Sequence, residues 1–260
     1  MAIITLTSDW GWKDHYVAAI KGAILTKAPN STIIDISHSI SAFDTEEAAF
    51  VLRNCYRNFP NGTIHIIGIN SENSEKTPHL VVFCDNQYFI GADNGIFSMI
   101  LEREPDQIIS LKTFYDSDKI KYTTFPSRDR FAKVAAHIAL GNPIDTLGIK
   151  HSSIVKKQFI QPIITECSIR GEVIYIDNYE NLITNISLKL FEKIRRDRQP
   201  IISYLKNEIK KISNSYSENI PGEIMAIFSS HGYLEIAIKN GNARGLLGGN
   251  INTKVIIDFF

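Results

Sequence analysis

The sequence predicts an α/β amino-terminal domain built on a mostly parallel sheet, followed by a small all-β barrel domain. Three observations predict it. Short Ile/Val-rich runs alternate with amphipathic stretches over residues 1–155, the pattern of βαβ units. Over residues 165–260 the texture changes to short strands separated by turn residues. At 260 residues the chain is also long enough for a sizeable core, in one large domain or two modest ones.

The elements follow in order. Residues 3–7 form the first expected strand, and Val17, Ile20, Ile24 and Leu25 then recur at helical spacing, predicting a helix over one sheet face. A strand at 32–36 precedes Asp44, which with Glu47 three residues on resembles a capping box opening a helix through residue 58. Strands at 63–69, 80–84, 88–91 and 107–111 continue the sheet, and a helix over 129–140 is stopped by Gly141, Asn142 and Pro143. In the second domain strands are expected at 172–176, 182–186, 223–229, 233–238 and 254–259. Residues 193–219, rich in Lys, Arg, Asn and Ser, carry no clear period, and their basic cluster Lys193, Arg195, Arg196 and Arg198 reads as a solvated face.

Composition narrows the function. The 28 basic and 28 acidic side chains cancel, so no broad positive field exists to hold a phosphate backbone, and nucleic acid is not an expected partner. Cys55, Cys84 and Cys167 are odd in number and share no metal-ligand spacing, which predicts buried thiols in a reducing compartment. No apolar run approaches the roughly 18 residues that span a bilayer, and the first strand begins at Ile3 with no leader before it. The expectation is a cytoplasmic protein with no membrane segment.

Polar clusters fall at the strand ends: Ser8-Asp9 with Asp14, 70–77, Asp93-Asn94-Gly95, 124–129, 177–181 and 229–232. Ligands of open α/β sheets gather at the carboxyl ends of parallel strands, so Asp9 and Asp14 stand where a small polar molecule is held, and a carboxylate there can accept from both hydroxyls of a ribose diol. The same residues also suit a turn that caps the next helix, and both readings stand on the sequence alone.

Taken in order, these clusters resemble the S-adenosylmethionine (SAM) hydroxide adenosyltransferases, a family that includes the SAM-dependent fluorinase and chlorinase. The likeness covers nearly the whole chain. It rests on Ser8-Asp9-x-Gly11-x-x-Asp14-x-x-Val17 with Lys21-Gly22, on Asp35-Ile36-Ser37-His38, and on Phe59-Pro60-x-Gly62-Thr63. Asp93-Asn94-Gly95, Thr124-Phe125-x-x-Arg128-Asp129-x-Phe131-Ala132, Asp177-x-x-x-Asn181-x-x-Thr184-Asn185 and Ser230-x-Gly232-Tyr233-Leu234 extend it. The resemblance implies displacement at C5′ of SAM by hydroxide or halide, with methionine leaving and with neither metal nor cofactor. It also implies a homotrimer whose sites lie between the first domain of one subunit and the second domain of its neighbour.

Carried over position by position, Asp9 would hold the ribose hydroxyls, with Asp14 at the methionine end or supporting the loop. Asp177 would receive the methionine ammonium. Asn181 would read the adenine edge with Ser230 and the backbone near Ala243, Tyr179 would stack on the ring in place of the usual phenylalanine, and Phe43 would line the sugar pocket. The plain structural readings remain beside these: Asp177 and Asn181 shaping a hairpin, Phe43 in the core, Tyr179 packing across strands.

The resemblance further implies that an aspartate, an arginine and a histidine activate water, and this chain departs from all three. Asn70 replaces the aspartate, Thr77 or, with a one-residue slip, Lys76 replaces the arginine, and Pro126 replaces the histidine. An amide cannot act as a general base and proline has no titratable group, so Glu72 and Glu75 become the nearest candidate bases, with His231 and His15 behind them. Ser127 stands where the fluorinase has a halide-binding serine. The expectation is a SAM hydrolase releasing adenosine and methionine, with a non-catalytic SAM or nucleoside sensor and a chlorinase-like transferase as alternatives.

Overall fold

The first strand, β1 (Ile3–Ser8), is buried along nearly its whole length, as a strand is only when neighbours flank it and both its faces are covered. It pairs in parallel with β2 (Thr32–Ser37) on one side and with β3 (Ile64–Gly68) on the other. A computed structural model describes residues 1–111 and 124–260, and the chain separates into two units, Met1–Gln158 and Phe159–Phe260.

In the first unit β4 (His79–Cys84), β5 (Gln87–Ala92), β6 (Gln107–Ser110) and β7 (Ile149–Lys150) complete a seven-stranded sheet of order β2-β1-β3-β5-β4-β6-β7. The expected mostly parallel sheet is parallel from β2 through β5 and antiparallel beyond. The reason is local. Asp85 and Asn86, at φ 51° and 57°, make a two-residue turn of the kind that folds a strand directly back on itself, so β4 and β5 form a hairpin.

Helix α1 (Tyr16–Lys27) buries Val17, Ile20 and Ile24 as its spacing predicts, whereas Leu25 faces solvent. The predicted helix over 44–58 is α2 (Thr45–Arg53) followed by a 3-10 turn at Tyr56–Asn58. Asp44 caps α2 by accepting from the N–H groups of Glu46 and Glu47, each at 2.9 Å, while Glu47 reaches back to the Ser41 N–H rather than closing the box on Asp44. Helix α3 (Ile96–Ile100) packs on α2. The helix expected from 129 starts earlier, as a π-turn at Ser127–Phe131 that runs into α4 (Ala132–Ala139). Ile4, Leu6, Ile20, Ile64 and Ile90 form one core with Phe131 and Val134.

The second unit is a nine-stranded sheet. Its strands are β8 (Ile163–Ile164), β9 (Ser168–Ile176), β10 (Leu182–Ser187), β11 (Pro200–Tyr204), β12 (Asn207–Ile209), β13 (Ile212–Ser213), β14 (Ile224–Phe228), β15 (Tyr233–Ile238) and β16 (Lys254–Phe259). They run in the order β12-β11-β16-β9-β10-β15-β14-β13, with β8 on β9. The sheet is nearly barrel-shaped: β12 returns to touch β14, but no ladder of hydrogen bonds closes the ring among the described residues. Helices α5 (Leu188–Arg195) and α6 (Ala243–Leu247) follow β10 and β15.

Residues 193–219, without a period in sequence, hold the end of α5 and strands β11 to β13. Of the three cysteines expected to be buried, Cys84 is buried and Cys55 partly so, but Cys167 is exposed, because it lies in the turn closed by the Thr165 N–H, which donates to the Ser168 carbonyl. No helix among the described residues is long and apolar enough to cross a membrane.

Candidate active site

The strand order puts β1 between β2 and β3, so the chain leaves β1 to one side and returns on the other. Crevices of this kind, at the carboxyl ends of parallel strands, collect ligands. Three loops and a π-turn meet there. The loop after β1 carries Asp9, Trp10 and Asp14; the loop after β2 carries Phe43; the loop after β3 carries Asn70, Glu72 and Glu75; and Ser127 opens the π-turn.

Contacts between rings knit these loops together. Trp10 meets Phe125 edge-on at 5.1 Å, and Phe125 in turn meets Tyr16 at 5.1 Å, which draws the segment before Ser127 onto the loop after β1. Trp10 also lies over the last residue of β3: a Cβ at Gly68 would stand 2.2 Å from the indole, so only glycine fits.

Asp9 is half-buried, and its Oδ2 accepts from the Phe43 N–H at 2.8 Å. Its other oxygen accepts no hydrogen bond from the described residues. Helix capping does not explain this aspartate, because the N-cap of α1 is His15 and no side chain caps the helix there. Phe43 is not core either: it is 74% exposed and sits at φ 65°, a conformation that a bulky side chain rarely adopts. Asp14 is exposed on the same loop.

The loop after β3 begins at Asn70, also at positive φ, with its carbonyl held by Asn94 Nδ2 at 3.3 Å. Glu72 and Glu75 are exposed on it, and Thr77 folds back onto Ser74 and the Glu72 carbonyl. Ser127 is fully buried, and its hydroxyl has no hydrogen-bond partner among the described residues. A buried hydroxyl without a partner is costly, which marks it as a donor kept for something else.

In the second unit the turn 177–181 joins β9 to β10. Asp177 Oδ1 accepts from the N–H groups of Tyr179 at 2.9 Å and Asn181 at 2.8 Å, and its Oδ2 accepts from Asn181 Nδ2 at 3.0 Å. These two residues do shape the hairpin. Tyr179, 77% exposed, packs across no strand and presents its ring to solvent. The Glu180 carbonyl accepts from Arg244 N–H at 3.0 Å, which ties the start of α6 and the buried Ala243 to the turn. Ser230 is exposed in the neighbouring turn, where His231 Nδ1 and Ser229 Oγ are 2.6 Å apart.

Two groups of polar residues were not anticipated as site residues. Behind Asn181, whose Nδ2 lies 3.5 Å from the Tyr216 hydroxyl, Tyr216 donates to the buried Glu235 carboxyl. Burial pushes the Glu235 pKa up, with the Asp177 charge adding to it, against the Tyr216 hydrogen bond. Behind Asp9, Ser8 bonds to His38 and His38 to Asp35. The Asp35-x-x-His38 spacing at the end of β2 was the available signal for this second group.

Comparison with known proteins agrees with the fold and the loop pattern. Residues 4–148 match the amino-terminal domain, and residues 171–256 the carboxy-terminal domain, of SAM hydroxide adenosyltransferase. The chain is 34% identical over 258 residues to an (R)-S-adenosyl-L-methionine hydrolase of Methanocaldococcus jannaschii, covering 94% of this chain and 91% of that protein. A fluorinase of Actinoplanes sp. is 25% identical, with 90% of each chain covered. A crystal structure of an uncharacterized conserved protein from Thermotoga maritima superposes with a TM-score of 0.87 at 30% identity, over 98% of this chain and 99% of that one. With both domains matched in order along most of its length, the chain belongs to the SAM hydroxide adenosyltransferase family.

Proposed function

We propose that this protein is a SAM hydrolase, taking the (R) form named in its relatives, and that it yields adenosine and L-methionine. The observation that carries the reading is the end-to-end similarity, at 34% identity, to an (R)-S-adenosyl-L-methionine hydrolase. Water attacks C5′, the C5′–S bond breaks with its electron pair going to sulfur, and the attacking water gives up one proton. The sulfonium is already a good leaving group, so the protein's task is to orient water and substrate.

Asp9 holds the ribose diol, with Phe43 beside the sugar and Asp14 toward the methionine end. Asp177 takes the ammonium on a carboxylate its own turn has already aimed, and Asn181, Ser230, Tyr179 and the Ala243 backbone hold the adenine. Asn70 orients the water, and Glu72 or Glu75 accepts its proton, in place of the aspartate, arginine and histidine of other hydrolases. We further propose a cytoplasmic homotrimer in which each site draws the Asp9 set from one subunit and the Asp177 set from the next. Three free cysteines suit a reducing compartment.

One observation favours a second reading. The buried Ser127 hydroxyl, without a hydrogen-bond partner among the described residues, suits a desolvated halide as well as water. Both readings are tested by incubating the protein with each sulfonium epimer of SAM in chloride buffer made with ¹⁸O water, and resolving the products by mass spectrometry. Labelled adenosine formed over many turnovers supports hydrolysis at C5′, and 5′-chloro-5′-deoxyadenosine supports halide transfer through Ser127. Stoichiometric binding with intact SAM overturns both in favour of a sensor. Light scattering reads the trimer directly.

A further inference from the structure

Ser8, His38, Asp35 and Lys21 form an unbroken chain across the ends of β1, β2 and α1. Ser8 Oγ lies 2.5 Å from His38 Nδ1, His38 Nε2 lies 3.0 Å from Asp35 Oδ1, and Lys21 Nζ donates to Asp35 Oδ2 at 2.5 Å. Ser8 and His38 are buried, at 0% and 1% exposure, while Asp35 and Lys21 form the partly exposed outer end. Burial works against the Asp35 charge, but the hydrogen bonds from Lys21 and His38 outweigh it and hold the carboxyl below its usual range. An ionised carboxylate only accepts, so Nε2 carries a proton. In the neutral ring Nδ1 is then left to accept from the Ser8 hydroxyl.

The order of groups is that of a nucleophilic Ser-His-Asp triad, yet it cannot act as one. The Ser8 hydroxyl is sealed from solvent on a central strand, where no electrophile can reach it. What the chain does reach is the loop beside it. The ladder between β1 and β2 is interrupted after Leu6 and ends at Thr7 against Ser37, so the sheet ladder does not extend into the two loops that follow.

One backbone hydrogen bond and the His38 ring join them. The His38 carbonyl accepts from Gly11 N–H at 2.7 Å, and its ring lies near-parallel to Trp10 at 5.9 Å and edge-on to Trp12 at 4.7 Å. Gly11 and both tryptophans belong to the loop that carries Asp9, and Phe43, which donates to Asp9, belongs to the loop that begins at His38.

We infer that His38, anchored by Asp35 and Lys21, is a positioning residue that fixes the Asp9 carboxylate toward a ribose diol. The inference rests on the reading of Asp9 as the diol ligand. It assigns to this imidazole the protein's selectivity for ribonucleoside over dideoxynucleoside ligands, without contact to either.

Calorimetric titration with adenosine and with 2′,3′-dideoxyadenosine tests it. Wild-type protein is expected to prefer adenosine, and Asp9→Asn to lose that preference. His38→Asn, which keeps a partner for Ser8, and His38→Gln, which reaches toward Asp35, are each expected to cut the preference by roughly tenfold, one hydrogen bond's worth of binding. Affinity for the dideoxynucleoside should stay near the wild-type value, which a general loss of structure would not allow.

An unchanged preference in the folded His38 variants overturns the inference. If those variants do not fold, Ser8→Ala and Lys21→Met decide: a preference unchanged in both overturns it equally. Absence of any preference in wild type and Asp9→Asn alike overturns the reading of Asp9 and, with it, the inference. A preference lost in Asp9→Asn but kept in every chain variant overturns the inference alone.

Discussion

Asp9 in the first unit and Asp177 in the second each follow the last residue of a strand, yet they are held in opposite ways. Asp177 receives three hydrogen bonds, all from donors within four residues, so its turn is complete in itself. Asp9 receives one from the described residues, from Phe43, 34 residues away, and depends on a neighbouring loop, on rings and on a buried histidine for its place. A carboxylate aimed by its own turn survives changes elsewhere. One aimed by tertiary contacts keeps more lone pairs for a ligand and is exposed to every change in its scaffold.

The largest effect that sharpens this contrast is expected from Asp9→Asn. The amide oxygen still accepts from Phe43 N–H, so the melting temperature should hold, while the charged hydrogen bonds to a diol are lost. At about 1.5–3 kcal/mol for a charge-assisted bond, kcat/KM for SAM should fall by one to two orders of magnitude. Asp177→Asn should lower both activity and melting temperature, because both of its oxygens accept within the turn and an amide nitrogen in place of Oδ2 would face the Asn181 Nδ2 donor. Equal losses of stability in the two variants would break the comparison.

Next is the response to pH, which should differ in sign between the buried histidines of the first unit and the buried Glu235 of the second. Burial lowers the pKa of His65, against the Gln87 hydrogen bond, and of His79, against the Ser71 hydrogen bond, to about 4 in each case. Between the ordinary value of 6.5 and about 4 the unfolded chain binds protons that the folded chain refuses. The stability these groups allow is therefore full above 6.5 and is lost as pH falls, by up to a few kcal/mol. Asp93, pushed up by burial, opposes them within the same unit.

In the second unit Glu235 is raised, so its contribution is present at low pH and lost as pH rises through its folded value, while His231, lowered by burial against the Asp177 charge, opposes it from an exposed turn. Hydrogen exchange, corrected for intrinsic rates, should show β1, β3 and β5 losing protection between pH 7 and 5 while β14 and β15 do not. Parallel losses in both units would refute the contrast.

Gly68→Ala comes third. The new methyl would drive into Trp10, and overpacking of this kind costs about 1–3 kcal/mol. Displacing Trp10 also disturbs its contacts with His38 and Phe125, so adenosine affinity should drop with stability. A variant with lower melting temperature and unchanged affinity would show that the ring scaffold does not set Asp9.

How much was legible in the sequence follows the same division. Local patterns were: Asp44 caps α2, Val17, Ile20 and Ile24 face the core, and Asp177 with Asn181 closes a turn. The antiparallel hairpin was missed although Asp85-Asn86 sits in plain view, because two apolar runs in an α/β context read as βαβ by default. Strands β11 to β13 were missed because their short, partly exposed runs lie among Lys and Asn, and only the neighbouring strand makes them a sheet. Ser8 and His38 lie 30 residues apart, and no periodicity announces that a ring from one loop will lock the other. Glu235 and Tyr216 are hidden in the same way, on elements that meet only when the sheet curls.

The smallest effect tests whether the Asp177 turn is as self-sufficient as its hydrogen bonds suggest. Asn242 caps α6 by accepting from Gly245 N–H at 2.6 Å, and α6 in turn donates from Arg244 N–H to the Glu180 carbonyl. Asn242→Ala removes the cap at about 1 kcal/mol, a shift of roughly 4–8 °C in the melting temperature of a unit of about 100 residues. Because Asp177 keeps all three of its local donors, the loosened helix should pass little of that loss to the site, and SAM affinity should weaken by less than about threefold. A loss greater than tenfold would mean that the turn leans on α6 much as Asp9 leans on His38, and that the Asp9 loop and the Asp177 turn are both set by long-range contacts.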